Sequence, residues 1–392
     1  MNEVFERRRA LVLKRGKERV VANRHPWIFA GAIHSERGPE DAAFADLVDV
    51  EGTRIASGFY SSSSQIRLRA LTFGDEVLNE ETIAKRITNA IVRRRPIFED
   101  GSTNCARIIH AEGDDLSSIV VDRYDDVLVV EIANRGVEQI KPLIVDVLQR
   151  ELEPRAIYFK NDLPLRKSEG LTTDNEWIGE RVEAKEILES GLRFRVDPEE
   201  GQKTGFFLDQ RENRRMARTL ASGRRVLNLF SYTGGFGVYA TAGGASSVTN
   251  VDISARAIDV ARENHALNGF EATQTVGDAF QYVRQSREQF DLLVCDPPAF
   301  AKSRNEVERA ARGYKDVNLF AMRMVSPGGL MMTFSCSGHM SLDLFQKIIF
   351  AAALDAGRRI SFVRRLTAGP DHPVSIYCPE GEYLKGFLLE VH

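Results

Sequence analysis

The stretch RVLNLFSYTGGFGVYA, residues 225–240, passes from an apolar segment directly into a loop rich in glycine. The apolar part is typical of a buried strand, and Gly234, Gly235 and Gly237 let the backbone turn sharply and approach a ligand closely. Beyond it, short apolar segments alternate with helical stretches such as SARAIDVARENHALNGF. This alternation predicts an α/β fold with a Rossmann-like, doubly wound parallel sheet and crossover helices.

The strand candidates of this sheet are RVLNLF, SVTNVD, ATQTVGD, FDLLVCD and GGLMMTFS. Two further candidates, RISFVRRL and EYLKGFLLEV, close the chain without a clear helix between them. We therefore expect an antiparallel hairpin at the edge of the sheet.

The first half of the chain has a different pattern. Residues 10 to about 75 contain short strand-like runs interrupted by Gly, Ser and Pro, which predicts a small antiparallel barrel. The following residues mix the helical stretch ETIAKRITNAIVRRR with strands such as DVLVVEIA, as in a compact α+β module. We place three domains at residues 1–75, 76–195 and 196–392.

The composition limits the partners. The chain has 392 residues, 28% charged, with no apolar run long enough to span a membrane. Its four cysteines lie far apart and form no CxxC pair, which argues against a disulfide framework or a zinc site and favours the reducing cytoplasm.

The net charge of −3 hides a basic N-terminal stretch. Between Arg7 and Arg24 the only acid is Glu18. Because phosphate contacts need a local basic stripe and not a basic protein, this stretch can bind RNA. The alternative is a solvated charged face. The residues we expect to contact RNA phosphates are Arg15, Lys17, Arg19 and Arg24.

The glycine-rich loop and Asp252, which ends the second strand, predict a bound cofactor. In such sheets ligands bind at the carboxyl ends of the strands, and an acid there accepts hydrogen bonds from ribose hydroxyls. This pattern fits NAD or S-adenosylmethionine, and the glycines could also serve only a tight turn. The fourth strand ends in Asp296-Pro297-Pro298, an element that dehydrogenases do not need. We therefore expect S-adenosyl-L-methionine, with Asp278 near the adenine.

Two cysteines lie near strand ends. Cys295 and Asp296 are neighbours, so their side chains point to opposite faces, and we expect Cys295 to be structural. Cys336 follows the fifth strand among small polar residues. A thiolate there could add to carbon 6 of a pyrimidine and make carbon 5 nucleophilic enough to accept a methyl group. The alternative is that Cys336 is an incidental small residue.

The chain resembles the large-subunit (23S-type) ribosomal RNA cytosine-C5 methyltransferases of the RlmI type over nearly its whole length. The motifs that carry this resemblance are HPWIFAGAI (25–33), GQKTGFFLDQR (201–211), NLFSYTGGFGVYA (228–240), VCDPPAFAKS (294–303), GYKDVNLFA (313–321), TFSCSGHM (333–340) and PEGEYLKGF (379–387).

The resemblance implies an N-terminal PUA RNA-binding domain, a central α+β domain and a C-terminal class I methyltransferase domain that acts on rRNA. It implies that Cys336 is the nucleophile, that Asp296 contacts the base and that Asp209 lies near cofactor and target. The cofactor-binding residues expected on this basis are Gln210, Ser231, Tyr232, Thr233, Gly234, Gly235, Asp252, Asp278, Asp296 and Pro297.

The chain departs from many RNA cytosine-C5 methyltransferases in having Ala299 where they carry a second cysteine that assists product release. The release base is therefore not named by the sequence. His339 is a candidate, although a loop histidine without function is the simpler interpretation.

Other functions stay open at this point. A guanine methyltransferase would share the DPPxF loop but would need no Cys336. A non-catalytic ribosome assembly factor would need none of the intact site residues, and the basic N-terminal segment disfavours a small-molecule methyltransferase. The oligomeric state, including a homodimer, is also open.

Overall fold

The computed structural model describes residues 2–301 and 303–392, and the chain forms two compact units. Unit 1 comprises Met1–Lys185, Val196–Phe206 and Asp371–Gly381, and unit 2 comprises Glu186–Arg195, Phe207–Pro370 and Glu382–His392. The chain thus passes between the units several times. The finer division at residues 75 and 195 stays a prediction.

The first sheet of unit 1 has the strand order β2-β6-β5-β4-β1-β3. Its strands are β1 (Arg8–Leu13), β2 (Trp27–Phe29), β3 (Ile33–Arg37), β4 (Phe44–Val48), β5 (Arg54–Tyr60) and β6 (Ile66–Phe73), and short helices α1 (Asn2–Glu6) and α2 (Glu18–Ala22) flank β1. Alternate residues of β1 are buried, which gives the sheet one core-facing side.

The neighbouring strands of this sheet are antiparallel except for the β1–β4 pair, which is parallel. The expectation of an entirely antiparallel arrangement is therefore wrong at this pair. After β3 pairs with one edge of β1, the chain crosses to the other edge through residues 38–43 and returns in the direction of β1.

The second sheet of unit 1 has the order β11-β10-β9-β8-β7 and confirms the α+β expectation. Its elements are α3 (Glu80–Phe98), β7 (Cys105–His110), β8 (Ile119–Tyr124), β9 (Val127–Ile132), α4 (Arg135–Glu138), α5 (Lys141–Leu152), β10 (Ala156–Phe159), α6 (Pro164–Ser168) and β11 (Glu176–Gly179). Helices α3 and α5 bury apolar residues at helical spacing, among them Ile83, Ile87, Ile144 and Val147, in one core with the strands.

Unit 2 is built on a seven-stranded sheet of order β16-β15-β14-β17-β18-β20-β19. A hairpin of β12 (Lys185–Glu189) and β13 (Leu192–Val196) leads into it. Its further elements are α7 (Arg211–Leu220), β14 (Arg225–Leu229), α8 (Gly235–Ala242), β15 (Ser247–Asp252), α9 (Ala255–Leu267), β16 (Thr273–Val276), α10 (Ala279–Gln285), β17 (Phe290–Cys295), α11 (Val307–Arg323), β18 (Val325–Ser335), α12 (Leu342–Ala356), β19 (Ile360–Leu366) and β20 (Lys385–Val391).

Strands β14 to β18 pair in parallel, and β20 pairs antiparallel with both β18 and β19. The predicted α/β sheet and the antiparallel pair at its edge are both confirmed. The chain order reverses at β14, which lies between β15 and β17. This reversal is the switch point at which such sheets bind ligands.

A buried ion pair holds β12 to α7. Arg214 donates to both carboxylate oxygens of Glu189, at 2.9 and 2.8 Å, and the Tyr239 hydroxyl donates to the same carboxylate at 2.9 Å. The side chains of Glu189 and Arg214 are 0% and 3% exposed. Because a buried charge without a partner is costly, the two charges depend on each other.

We predict that Glu189→Ala lowers the free energy of unfolding by about 3–5 kcal/mol, because it leaves the Arg214 guanidinium buried without its carboxylate. Asp259→Ala is the matched control, since it breaks the exposed Arg262–Asp259 pair, and should cost at most about 1 kcal/mol. Guanidinium denaturation measures both. Equal, small losses in the two variants would contradict the account.

Candidate functional site

The loop that follows β14 has an unusual backbone. Phe230, Tyr232 and Gly234 have φ angles of 55°, 47° and 77°, so non-glycine residues also adopt the left-handed region. Such conformations persist only where surrounding contacts hold them. Tyr232 N–H donates to Asp252 Oδ2 at 2.8 Å, and Ser231 N–H donates to the Val251 carbonyl at 3.0 Å. The end of β15 therefore fixes the shape of this loop.

Gly237 lies inside α8 and is required by packing. A Cβ atom there would lie 2.4 Å from Asn250 Oδ1 on β15, the atom that accepts a hydrogen bond from Asn228 Nδ2 at 2.8 Å. Gly234 at the start of the helix combines a positive φ with close approach to Ala261. Glycine is thus required at position 237 because of tight packing, and at position 234 because of the backbone conformation.

The polar groups around this loop fit S-adenosylmethionine. The hydroxyls of Ser231 and Thr233, which are 7% and 6% exposed, have no hydrogen-bond partner among the described residues. The two oxygens of Asp252 accept from the N–H groups of Tyr232 and Ser254, so its carboxylate is held in place at the end of β15. Buried hydroxyls without partners are rare unless a ligand satisfies them.

Asp278 lies one residue beyond Gly277, whose N–H donates to the Asp252 carbonyl at 2.9 Å. Its side chain caps α10 by accepting from Gln281 N–H at 3.0 Å. The structure therefore brings the loop after β14, Asp252 and Asp278 to the same edge of the sheet.

Asp296 follows β17 and is held by a chain of side-chain amides. Gln210 Nε2 donates to Asp296 Oδ2 at 2.9 Å, and Asn213 Nδ2 donates to Gln210 Oε1 at 2.6 Å. Neighbouring Asp209 accepts from the Tyr383 hydroxyl at 2.6 Å. The Gln210 side chain is thus hydrogen-bonded to Asp296, the acid that follows β17. A contact between Gln210 and the cofactor stays a prediction.

The two cysteines have different environments. Cys295 is fully buried in an apolar cluster with residues of α11, and this burial raises the pKa of its thiol. The prediction that Cys295 faces the helix layer is confirmed. Cys336 follows β18 and is half-buried, with its Sγ 3.8 Å from the Pro297 carbonyl. The diproline after β17 and the cysteine after β18 are therefore in contact.

Ser337, next to Cys336, is a junction of three elements. Its hydroxyl accepts from Ala301 N–H at 3.3 Å and lies 3.1 Å from the Tyr314 hydroxyl of α11. Its carbonyl accepts from the buried Lys385 ammonium at 2.9 Å. Lys385 was not among the predicted site residues, although a lysine that opens an otherwise apolar strand was visible in the motif PEGEYLKGF.

His339, the candidate release base, is exposed, and Lys302 lies outside the described residues.

The basic N-terminal stretch divides into two groups in unit 1. Arg7, Arg8 and Arg9 form ion pairs with Asp41, Asp46 and Glu36, respectively. The predicted RNA-contacting residues are instead exposed around α2, without a carboxylate partner in the part of the chain that the structure describes; they are Arg15, Lys17, Arg19 and Arg24.

A second cluster in unit 1 joins His25, Cys378 and Glu380, whose ligand atoms lie within 4.8 Å of one another. Trp27 N–H donates to His25 Nδ1 at 3.0 Å, so the neutral imidazole carries its proton on Nε2, which lies 3.3 Å from Glu380 Oε2. An Nε2 that donates to a carboxylate has no lone pair for a metal ion. The arrangement is therefore that of a hydrogen-bond network.

Comparison with known proteins shows the family. Residues 107–381 match the S-adenosylmethionine-dependent methyltransferases, and residues 11–73 match a PUA-like domain. Among the described residues no helix is both long and apolar enough to cross a membrane.

Relatives of similar length support the same assignment. Ribosomal RNA large subunit methyltransferase I of Shewanella denitrificans is 42% identical over 390 residues, covering 97% of this chain and 98% of the relative. The protein of the same name from Tolumonas auensis is 42% identical over 388 residues, covering 96% and 98%.

A solved structure agrees with the fold. The crystal structure of SMU.776, assigned as a methyltransferase and complexed with SAH, superposes with a TM-score of 0.84 over 97% of this chain and 100% of that one. Because its sequence is 22% identical, this likeness shows the fold alone. The extent and identity of the sequence matches show that the chain belongs to the ribosomal RNA large subunit methyltransferase I family of S-adenosylmethionine-dependent methyltransferases.

Proposed function

We propose that this protein transfers a methyl group from S-adenosylmethionine to carbon 5 of a cytosine in large-subunit ribosomal RNA through a covalent Cys336 adduct. The proposal rests on the contact between the ends of β17 and β18. The Cys336 thiol lies 3.8 Å from the carbonyl of Pro297, directly after the acid that would hold the base. The relatives described above are, by name, methyltransferases of large-subunit ribosomal RNA.

The cofactor would be held at the carboxyl ends of β14, β15 and β16. The fixed Asp252 carboxylate suits the ribose hydroxyls, and Asp278 suits the adenine. The Ser231 and Thr233 hydroxyls offer hydrogen bonds that no group of the described residues uses. The remaining residues proposed for this site are Tyr232, Gly234, Gly235, Gln210 and Pro297. When bound, S-adenosylmethionine supplies an electrophilic methyl group.

The target cytosine would leave its base stack, at a cost of a few kcal/mol, and enter the cleft beside the ends of β17 and β18. Asp296, as the carboxylic acid, would donate to N3 of the cytosine and accept from its N4 amino group, and the hydrogen bond to N3 would stabilise the negative charge that develops in the ring. Gln210, bonded to the same carboxyl group, keeps Asp296 oriented for this contact. The base is thereby held with its carbon 6 towards Cys336.

The Cys336 thiolate adds to carbon 6, and the electrons of the 5,6 double bond make carbon 5 nucleophilic. Carbon 5 then takes the methyl group. Loss of its proton to a base restores the double bond as the carbon–sulfur bond breaks, which returns the thiolate. A guanine methyltransferase would not require these steps, since guanine nitrogens are nucleophilic without covalent addition.

RNA recognition would involve the exposed charges around α2. Arg15, Lys17, Arg19 and Arg24 project from the PUA-like domain and are not neutralised by neighbouring carboxylates among the described residues. They are thus available to contact phosphate groups. Arg7, Arg8 and Arg9 are paired and would contribute less.

Asp252→Ala should weaken S-adenosylmethionine binding at least tenfold, because a hydrogen bond to a charged acceptor contributes about 1.5–3 kcal/mol. Titration calorimetry on the purified variant measures this. Asp259→Ala, an exposed acid on the following helix, is the control and should bind as the wild type does. Wild-type affinity in Asp252→Ala would remove this residue from the cofactor site.

The double variant Arg15→Ala/Lys17→Ala neutralises two of the four exposed basic residues around α2 and should weaken RNA binding. The slope of log K against log salt should become shallower by about 1.4–1.8, at 0.7–0.9 per lost phosphate contact. The control is Arg150→Ala/Arg155→Ala, which removes exposed arginines that already have carboxylate partners. If the stripe variant keeps the wild-type slope, these charges form only a solvated face.

Large-subunit RNA transcribed with 5-fluorocytidine should remain covalently bound to the protein after methyl transfer, because fluorine cannot leave as a proton. Cys336→Ala should abolish the adduct and the methylation while it still binds cofactor. Cys295→Ala should keep both, with about 1 kcal/mol of lost stability. Gel shift under denaturing conditions detects the adduct.

Two outcomes would contradict this mechanism. An adduct that survives Cys336→Ala but is lost in Cys295→Ala would reverse the roles of the cysteines. Full methylation by Cys336→Ala would assign the protein to the non-covalent, guanine-directed class.

A further inference from the structure

The edge strand β19 of unit 2 presents basic and apolar side chains to solvent. Its sequence is ISFVRRL, with four consecutive exposed residues, Phe362, Val363, Arg364 and Arg365. Phe362 and Val363 are 50% and 52% exposed. The strand pairs with β20 on one side, and among the described residues no strand pairs with its other side. The proposed cofactor and base contacts use none of these side chains.

Strand β19 ends at the same edge of the sheet as the proposed site. Because β20 is antiparallel to both β18 and β19, β19 runs in the same direction as β18. Gly386 is the register partner of Phe334 on one side and of Leu366 on the other. The end of β19 is therefore level with the end of β18, which directly precedes Cys336.

Arg364 also shares a face of the sheet with Cys336. Its register partner is Leu388, and residues opposite each other in a ladder project to the same side. Leu388 belongs to a buried cluster against which Cys336 packs. Arg365 pairs with Phe387 and lies on the opposite face. The strand spacing and rise of a sheet place the Cα atoms of Arg364 and Cys336 roughly 15 Å apart.

A chain of hydrogen bonds connects the end of β19 to Asp296. The Thr367 carbonyl, directly after β19, accepts from Asn213 Nδ2 at 3.1 Å. Asn213 also donates to Gln210 at 2.6 Å, and Gln210 donates to Asp296 at 2.9 Å. The arginines of β19 thus precede a segment that is held in place relative to the acid proposed to contact the base.

The charges of these arginines are not neutralised. Neither Arg364 nor Arg365 has an ion pair or a side-chain hydrogen bond among the described residues. On β20 the acid is Glu390, which lies opposite Ser361 towards the other end of β19. The acids of the adjoining helices α7 and α12 are occupied by other basic residues, in the pairs Arg215–Glu212, Lys347–Asp343 and Lys315–Asp355.

We propose that Arg364 and Arg365 bind phosphate groups of the ribosomal RNA strand that carries the target base. The strand runs along the open edge of β19, where side chains of both faces are accessible, and Phe362 packs against one of its bases. Arginine offers phosphate a planar fork of donors, and exposed aromatic rings stack on bases. At roughly 3.4 Å per stacked nucleotide, the contacts lie within about five nucleotides of the target. This role rests on the proposed function of Cys336 and Asp296.

A second copy of this chain is a less suitable partner for the edge. Two copies of β19 paired about a two-fold axis would bring their arginines together, and β19 itself contains no acid to balance them. The β19–β20 pairing is also irregular between Phe362 and Arg364, and a bulge at an edge hinders further strand pairing. RNA phosphates instead complement the charge.

The double variant Arg364→Gln/Arg365→Gln tests the contact in the full-length protein. Large-subunit RNA is titrated at several salt concentrations. Affinity at about 0.15 M salt should fall about tenfold, and the slope of log K against log salt should become shallower by about 1.4–1.8. In steady-state methylation the KM for RNA should rise in parallel, whereas kcat should stay within about twofold, because the arginines do not touch the reacting atoms.

The matched control, Arg262→Gln/Arg359→Gln, removes the same net charge elsewhere in unit 2. Arg359 is exposed directly before β19, at the opposite end of the sheet, and Arg262 of α9 is exposed in a pair with Asp259. This variant should keep the wild-type salt slope and KM. Equal losses in the two double variants would indicate attraction by net charge alone and would overturn the proposal.

A purely protective role, in which the charges only prevent edge pairing, gives a different result. The variant Arg364→Gln/Arg365→Gln would then self-associate in sedimentation while it kept the wild-type RNA affinity, and the proposal would be wrong. Calorimetry with S-adenosylmethionine verifies that the variant is folded. Arg364→Lys/Arg365→Lys keeps both charges and should keep the salt slope, so a shallower slope in this variant would also count against phosphate contacts.

This contact and the proposed chemistry fail in different experiments. If Arg364→Gln/Arg365→Gln loses RNA affinity but the wild-type product is a methylated guanosine, the contact stands and the cytosine chemistry is wrong. If the wild-type product is 5-methylcytidine but this variant binds RNA as the wild type does, the chemistry stands and β19 does not contact the RNA.

Discussion

The candidate site depends on the parallel pairing of β17 with β18. Cys295 is the register partner of Thr333, so the two strands end at the same edge of the sheet. Asp296 and its diproline then leave one strand beside Cys336, which leaves the other, and their contact at 3.8 Å follows from this alignment. A slip of one residue in this register would turn Cys295 to the cleft and bury Asp296, because alternate residues face opposite sides. The chemistry therefore depends on a backbone constraint that neither side chain provides.

Much of the architecture of unit 2 was predictable, because local sequence patterns indicate its strands, helices and loops. Buried parallel strands read as continuous apolar runs, the crossover helices have their own periodicity, and the glycine-rich loop marks the switch point. The opposite environments of Cys295 and Cys336 followed from strand alternation and from position relative to a strand end. The confirmed antiparallel edge at β19 and β20 followed from the lack of a helix between two apolar runs.

Contacts between distant segments were not predictable in this way. Lys385 donates to the Ser337 carbonyl because β20 lies between β18 and β19, and no local pattern shows that strand order. The Gln210–Asp296 bond likewise joins the start of α7 to the end of β17. The sequence does not distinguish the basic residues between Arg7 and Arg24 from one another. In the structure the first three arginines form ion pairs with Asp41, Asp46 and Glu36, whereas the basic residues around α2 are exposed. The parallel β1–β4 pair arises from a crossover that strand patterns alone do not reveal.

If the paired strand ends of unit 2 methylate carbon 5 of a cytosine, the chemical identity of the product reveals it. Large-subunit ribosomal RNA is incubated with the wild-type protein and labelled S-adenosylmethionine, digested to nucleosides and separated by liquid chromatography with mass detection. We expect the label to elute as 5-methylcytidine. Label in a methylated guanosine, with none in 5-methylcytidine, would contradict it.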